Sequence, residues 1–150
     1  MEDIKEEVTI YTDGACRGNP GRGGWGCYIK YSDNKEDEIF GGEVDTTNNR
    51  MELTAAIKGL QFIAPNSVVN LYTDSTYVKN GITQWLEKWK RNYWKTSASK
   101  PVANRDLWEN LDSLVRSQVV SWFWVKGHAG DPGNTIADRL ANRGIDDCVK

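Results

Sequence analysis

Four carboxylates stand out for where they fall in the chain. Asp13 ends the apolar run "VTIYT" and Asp74 ends "VVNLYT", so each follows the same Tyr-Thr pair. Glu52 heads a stretch in which Ala56, Gly59, Leu60 and Ile63 recur at helical spacing, and Asp138 sits among Ile136, Ala137, Leu140 and Ala141. An acid at the head of an apolar helical stripe is less usual than a solvated one. Taken singly, each acid has an ordinary reading. The two aspartates after Tyr-Thr suit an Asx-turn or a helix N-cap, Glu52 a capping box with Asn49 or a dipole-favoured acid, and Asp138 a surface ion pair. Together they offer a different chemistry. Four carboxylates meeting in one pocket would repel one another and be costly to desolvate, and divalent cations remove that cost. Oxygen-only ligands suit magnesium or manganese, not zinc. Two such ions can activate a water and stabilise the leaving oxygen of a phosphodiester.

The elements that must position these acids follow from local pattern. Strands are expected at about 7–12, 24–32 and 37–44, the last two joined as a hairpin across "SDNKED". A helix is expected at 50–63, ending before Pro65, and "VVNLYT" (68–73) reads as a fourth strand. Short helices at 75–80 and 82–90, a helix from 104 to about 116, and a fifth strand at 119–125 follow. The last helix, "NTIADRLANRG", is expected to be capped by Asn134 and closed by Gly144. This order predicts an α/β protein whose mixed sheet has three antiparallel strands, then two parallel additions, with helices on its faces. If strands one and four are parallel neighbours, Asp13 and Asp74 emerge at one C-terminal edge, where open α/β sheets bind ligands.

Six glycines crowd residues 14 to 26, and Gly21, Gly23 and Gly26 spell G-x-G-x-x-G. A phosphate-cradling loop of that kind must open a helix. Here "WGCYIKYS" follows, which reads as a strand, and no G-K-[ST] is present, so the match is accidental. The stretch is expected to be a wide connection between strands.

At 150 residues the chain fits a single domain, 1–150, and it has no apolar run of the ~20 residues that span a bilayer. The acidic start "MEDIKEEV" lacks the form of a signal peptide. Cys16, Cys27 and Cys148 are odd in number and unclustered, suggesting neither a disulfide framework nor a zinc site. A soluble, monomeric protein of the reducing cytoplasm is expected, without a membrane partner. The net charge of −2 conceals a local stripe: residues 79 to 105 hold seven basic side chains against one acid, Glu87. Trp85, Trp89, Tyr93 and Trp94 lie among them, a pattern that fits nucleic acid as well as a solvated face or an aromatic core stripe.

Four motifs in register, "YTDGACRGNPGRGGWG", "TTNNRMEL", "YTDSTYVKNGITQW" and "WVKGHAGDPGN" with "AD" after it, resemble type 1 ribonuclease H in its bacterial-like form. The resemblance runs from about residue 7 to 144. It implies a five-stranded mixed sheet and hydrolysis of the RNA strand of RNA–DNA hybrids with two magnesium ions, manganese serving as a substitute, to leave 5′-phosphate and 3′-hydroxyl ends. By position it implies that Asp13 bridges both ions, Asp138 helps to hold the one bearing the attacking water, and Glu52 and Asp74 hold the other. Cys16, Asn19, Asn48, Asn49 and Glu52 would lie near the minor groove, where 2′-hydroxyls mark RNA. The segment "WLEKWKRNYWKTSASK" resembles the family's hybrid-binding protrusion, with Lys88, Lys90, Arg91 and Lys95 as its cations. Thr47, Trp85, Asn104 and Trp108 would flank the DNA strand and one of its phosphates. Thr76 stands where bacterial-type members often carry glutamine, a shorter side chain for the same substrate contact.

His128, the only histidine, lies in a glycine-rich loop between the fifth strand and the helix of Asp138. Its titration near neutral pH suits proton transfer to or from water, and the resemblance gives it an assisting role. Two other readings compete with the nuclease. One is a catalytically silent hybrid-binding module, against which the four acids count. The other is an integrase-like enzyme on a similar sheet, which would lack the "VKGHAG" loop and the basic segment.

Overall fold

The computed structural model describes residues 6–126 and 131–148. Strands β1 (Glu7–Arg17), β2 (Gly21–Tyr31) and β3 (Glu36–Thr46) form an antiparallel meander. β4 (Val68–Thr73) and β5 (Val119–Trp124) add in parallel beyond β1, giving the order β3-β2-β1-β4-β5. Parallel neighbours need long crossovers. Helix α1 (Asn48–Phe62) carries the chain from β3 past β2 and β1 to β4. From β4 to β5 the chain runs through α2 (Thr76–Asn80), a π-helical turn (Gly81–Trp85), α3 (Leu86–Arg91) and α4 (Arg105–Arg116). α5 (Pro132–Asp147) closes the fold. The mixed five-stranded sheet with flanking helices is the architecture that the sequence predicts.

Side chains of β1 alternate between two covered faces. Ile10 lies against Gly59 of α1, whereas the neighbouring Tyr11 lies under Gly133 of α5. Val8, Ile10, Ile29, Leu53, Leu60 and Leu71 build the buried core between sheet and α1. No helix among the described residues is long and apolar enough to cross a membrane.

Two local expectations are corrected. The glycine-rich stretch is paired sheet on both sides of a short turn at 18–20, not a wide connection. Its glycines are explained by helices seated directly on the strands: a Cβ on Gly24 or Gly26 would meet the α5 backbone at Ala141, and one on Gly14 the α1 backbone. The last helix is capped by Asp131, whose side chain accepts hydrogen bonds from the N–H groups of Gly133 (2.9 Å) and Asn134 (3.3 Å). Asp131 precedes Pro132, which is preorganised for a first helical position. Asn134 therefore lies inside the first turn and is buried. Gly144 does not close the helix either; it lies within it because a Cβ there would overlap the Gly41 carbonyl of β3.

Candidate active site

The parallel pairing of β1 with β4 places Thr12 opposite Thr73, so the residues that follow, Asp13 and Asp74, emerge side by side. The Gly14 N–H donates to Asp13 Oδ1 at 3.0 Å and fixes that carboxylate at the strand end. Beyond Asp74 the chain turns at once: the Thr73 hydroxyl accepts from Ser75 N–H (3.0 Å), and Ser75 Oγ accepts from Val78 N–H (3.1 Å) to cap α2. Glu52 arrives from α1. That helix starts at Asn48 with Thr47 as its cap, the Thr47 hydroxyl accepting from Arg50 N–H at 3.2 Å. Glu52 is thus two residues further in than a start at 50 implies, and a capping box with Asn49 is excluded. Bare backbone at Gly14 lets the α1 backbone at residues 51 and 52 close onto β1 and brings Glu52 to Asp13.

The result is a buried acidic cluster. Carboxylate oxygens of Asp13, Glu52 and Asp74 lie within 4.8 Å of one another. Burial, then the charges of Glu52, Asp74 and Asp138 together with a hydrogen bond shared with Asp138, push the Asp13 carboxyl up to about 10. Glu52 is also raised well above the usual carboxylate range, by burial and by Asp74 and Asp138, with the Gly14 N–H partly offsetting the rise. Glu52 Oε1 is buried and has no hydrogen-bond partner among the described residues. None of the four acids takes part in an ion pair among those residues, whereas Asp106, Asp112 and Asp146 each pair with arginine. An orphaned buried carboxylate oxygen beside two further carboxylates fits a hard divalent cation. Asp138, half-buried on α5, reaches Asp13 from the other face of the sheet and shares a hydrogen bond with it. His128 lies outside the described residues.

The expected substrate-binding residues fall into two groups. Cys16, Asn19, Thr47, Asn48 and Asn49 surround the β1–β2 turn and the start of α1, where Asn19 Oδ1 accepts from Asn48 N–H at 3.0 Å. Thr76 is exposed at the first position of α2. Asn104 belongs to a network that sequence reasoning missed. Its side-chain amide donates to the Tyr77 hydroxyl (3.0 Å) and its Oδ1 accepts from Arg50 (3.2 Å), while Arg50 clamps Asp106 with two bonds of 3.0 and 2.8 Å. Arg50 carried a signal, being the lone cation inside "TTNNRMEL"; Tyr77 carried none.

Trp108 is the main departure. It is fully buried, its indole N–H donates to the same Tyr77 hydroxyl at 3.0 Å, and its ring rests on Gly81. It cannot flank a nucleic-acid strand; it holds Tyr77, and through it Asn104, in place. Trp89 packs between Trp85 (5.7 Å between centroids), Trp94 (6.5 Å) and Trp108 (5.4 Å), so the tryptophans extend the main core through Trp108. Trp85 remains half-exposed at its margin. Lys90 is also reassigned, since it is held by Asp112 (3.3 Å) and Glu87 (3.4 Å). Lys88, Arg91 and Lys95 are exposed and make no ion pair among the described residues.

Comparison with known proteins places this mixed sheet with its unpaired carboxylates among the nucleases, hydrolases of phosphodiester bonds. The ribonuclease H family model matches residues 5–146. Ribonuclease HI of Pseudomonas aeruginosa is 57% identical over 141 residues, covering 94% of this chain and 95% of that one. Among solved structures, LC9-RNase H1, a type 1 ribonuclease H with the type 2 active-site motif, superposes with a TM-score of 0.89 at 30% identity, covering 99% of this chain and 76% of that one. LC11-RNase H1 in complex with an RNA/DNA hybrid shares the fold, with a TM-score of 0.69 at 23% identity over 93% of this chain and 96% of that one. The chain belongs to the ribonuclease H family, which degrades RNA in RNA–DNA hybrids.

Proposed function

We propose that this protein hydrolyses the RNA strand of RNA–DNA hybrids by a two-metal-ion mechanism, leaving 5′-phosphate and 3′-hydroxyl ends. The observation that carries the reading is the cluster of buried Asp13 and Glu52 with half-buried Asp74, and its orphaned oxygen. Asp13, Glu52, Asp74 and Asp138 would hold the ions, magnesium in the first instance and manganese as a substitute. When bound, such ions polarise the scissile phosphate, lower the pKa of a water and neutralise the leaving oxygen. The protein's own part is to keep four acids convergent on rigid elements and to orient the RNA strand. Cys16, Asn19, Asn48 and Asn49 line the approach beside Glu52 and would meet the 2′-hydroxyls that distinguish RNA. Thr47 and Asn104, bridged by Arg50, would receive a phosphate of the DNA strand, with Trp85 and Thr76 beside it. All four acids come from one chain, so a monomer suffices. The three free cysteines are consistent with a reducing cytoplasm.

Incubation with labelled hybrid, duplex DNA and duplex RNA, each with and without magnesium, tests the reading. Cleavage confined to the RNA strand of the hybrid, and dependent on the ion, is expected. Binding without cleavage would leave a silent module, and cleavage of duplex DNA would favour the integrase-like alternative.

Lys88, Arg91 and Lys95 should govern affinity and not chemistry. Replacing all three by glutamine removes phosphate contacts, so KM should rise, kcat should change little, and the dependence of binding on salt should flatten. Lys90 is best left in place, because it is already engaged by Asp112 and Glu87 and is not a free phosphate contact. An unaltered salt slope would mean that these cations are only a solvated surface.

His128 would move a proton to or from water at the metal edge. His128→Ala should lower kcat substantially, leave KM within a few-fold, and retain more activity than loss of a metal-holding carboxylate. Both constants measured from pH 6 to 9 decide it. An unchanged kcat returns His128 to a surface role.

A further inference from the structure

One ring on the basic surface packs on nothing. Tyr93 follows α3 and is 83% exposed, with a backbone φ of 54° in the left-handed region. That conformation suits glycine, and a bulky L residue is strained in it. Trp94 shares it at 61° but is compensated: its N–H donates to the Trp89 carbonyl at 2.7 Å, and the Arg105 guanidinium stands 5.6 Å from its ring centre. Tyr93 has no hydrogen bond and no aromatic or cationic partner among the described residues. The fold would be served as well by glycine at 93, so whatever the ring gains comes from outside the chain.

Its surroundings say what that is. From residue 88 to 105 there is no acid, and the exposed cations Lys88, Arg91, Lys95 and Lys100 make no ion pair among the described residues. A bare ring among free cations is the combination that binds single-stranded nucleic acid: charge follows the backbone and the ring stacks on a base. Inside a duplex the faces of every base are already covered by its neighbours. The ring can therefore be used only where a base is unpaired.

We propose that Tyr93 stacks on an unpaired base of a single strand leaving the hybrid, giving this enzyme a preference for hybrids that continue into single strand. The inference rests on the function proposed above. The test uses protein carrying Asp13→Asn, so that the hybrid stays intact in magnesium. Three labelled ligands are titrated: a blunt hybrid, the same hybrid with a short extension of its DNA strand, and one with a short extension of its RNA strand. At least one extended hybrid should bind about fivefold or more tightly than the blunt one. Tyr93→Gly should erase that ratio and Tyr93→Phe should keep it, and Tyr93→Gly should melt at the same temperature or higher. Equal affinity for all three ligands, a ratio that survives Tyr93→Gly, or a lower melting temperature for Tyr93→Gly would overturn the proposal. A protein that binds none of the three refutes the hybrid reading itself, and this inference with it.

Discussion

Asp13→Asn should reduce magnesium-dependent cleavage of a hybrid by about 10³-fold or more, because the proposed metal contribution of several kcal/mol would depend on this carboxylate. Hybrid binding should persist, since the residues proposed to meet the phosphates, Thr47, Lys88, Arg91, Lys95 and Asn104, do not include Asp13. The variant should also be more stable than the parent in the absence of divalent ions, and the difference should depend on pH. Asp13 is pushed up to about 10 in the folded protein, by burial first and then by Glu52, Asp74 and Asp138. Unfolded, the same carboxyl titrates near its ordinary value of about 4. Its contribution is therefore full below about pH 4 and lost progressively as pH rises toward 10, because the unfolded chain releases a proton that the folded chain retains. Asparagine has no proton to lose. In chelator, the melting temperature of Asp13→Asn should exceed that of the parent by more at pH 8 than at pH 4. Magnesium should narrow the gap by stabilising the parent alone. Cleavage within tenfold of the parent would sink the metal mechanism, and a gap that ignores pH would refute the electrostatic account.

The acids could be read from the chain because each is tied to a periodic element. Asp13 and Asp74 follow equivalent strand ends, and parallel pairing at Thr12 and Thr73 converts that repetition into proximity. Glu52 and Asp138 betray themselves by sitting on apolar helix faces. Charge density in the basic segment was equally legible, but the fate of individual side chains within it was not. Trp85, Trp89 and Trp108 have the same residue type, and only tertiary packing buries Trp108 against Gly81 while leaving Trp85 at the margin. Lys90 differs from Lys88 through its ion pairs with Glu87 and with Asp112, the latter 22 residues away on α4. The helix end at Gly144 misled for a related reason. Glycine closes a helix when left to local preference, but here the contact with Gly41 on β3 requires it inside one. Long-range approach of backbones decided each of these cases, and local patterns do not carry it.

Gly14→Ala should harm the enzyme more than its one added methyl suggests. A Cβ at this position would stand 2.5 Å from Glu52 N and from Met51 C, and 2.8 Å from Met51 O. All three are backbone atoms of α1 and cannot rotate away, so relief requires the helix to back off β1 by about 1 Å, given ordinary carbon contacts of about 3.5–4.0 Å. Overpacking of this kind costs about 1–3 kcal/mol, and the melting temperature should fall by several degrees. The larger effect is on the site, because the helix that must move carries Glu52. A misplacement of about 1 Å can cost about 10²-fold in rate, and kcat should fall by at least that much at a temperature where the variant is fully folded. Leu111→Ala is the control: Leu111 is fully buried on α4, which carries none of the four acids, and its truncation should destabilise by about 2–5 kcal/mol. It should nevertheless keep kcat near that of the parent. Magnesium supplies a second readout independent of turnover, since the rise in melting temperature that it gives the parent should shrink in Gly14→Ala and persist in Leu111→Ala. If Gly14→Ala turns over normally, or if Leu111→Ala loses as much activity for the same loss of stability, the close approach at Gly14 is a packing detail and not what sets Glu52 against Asp13.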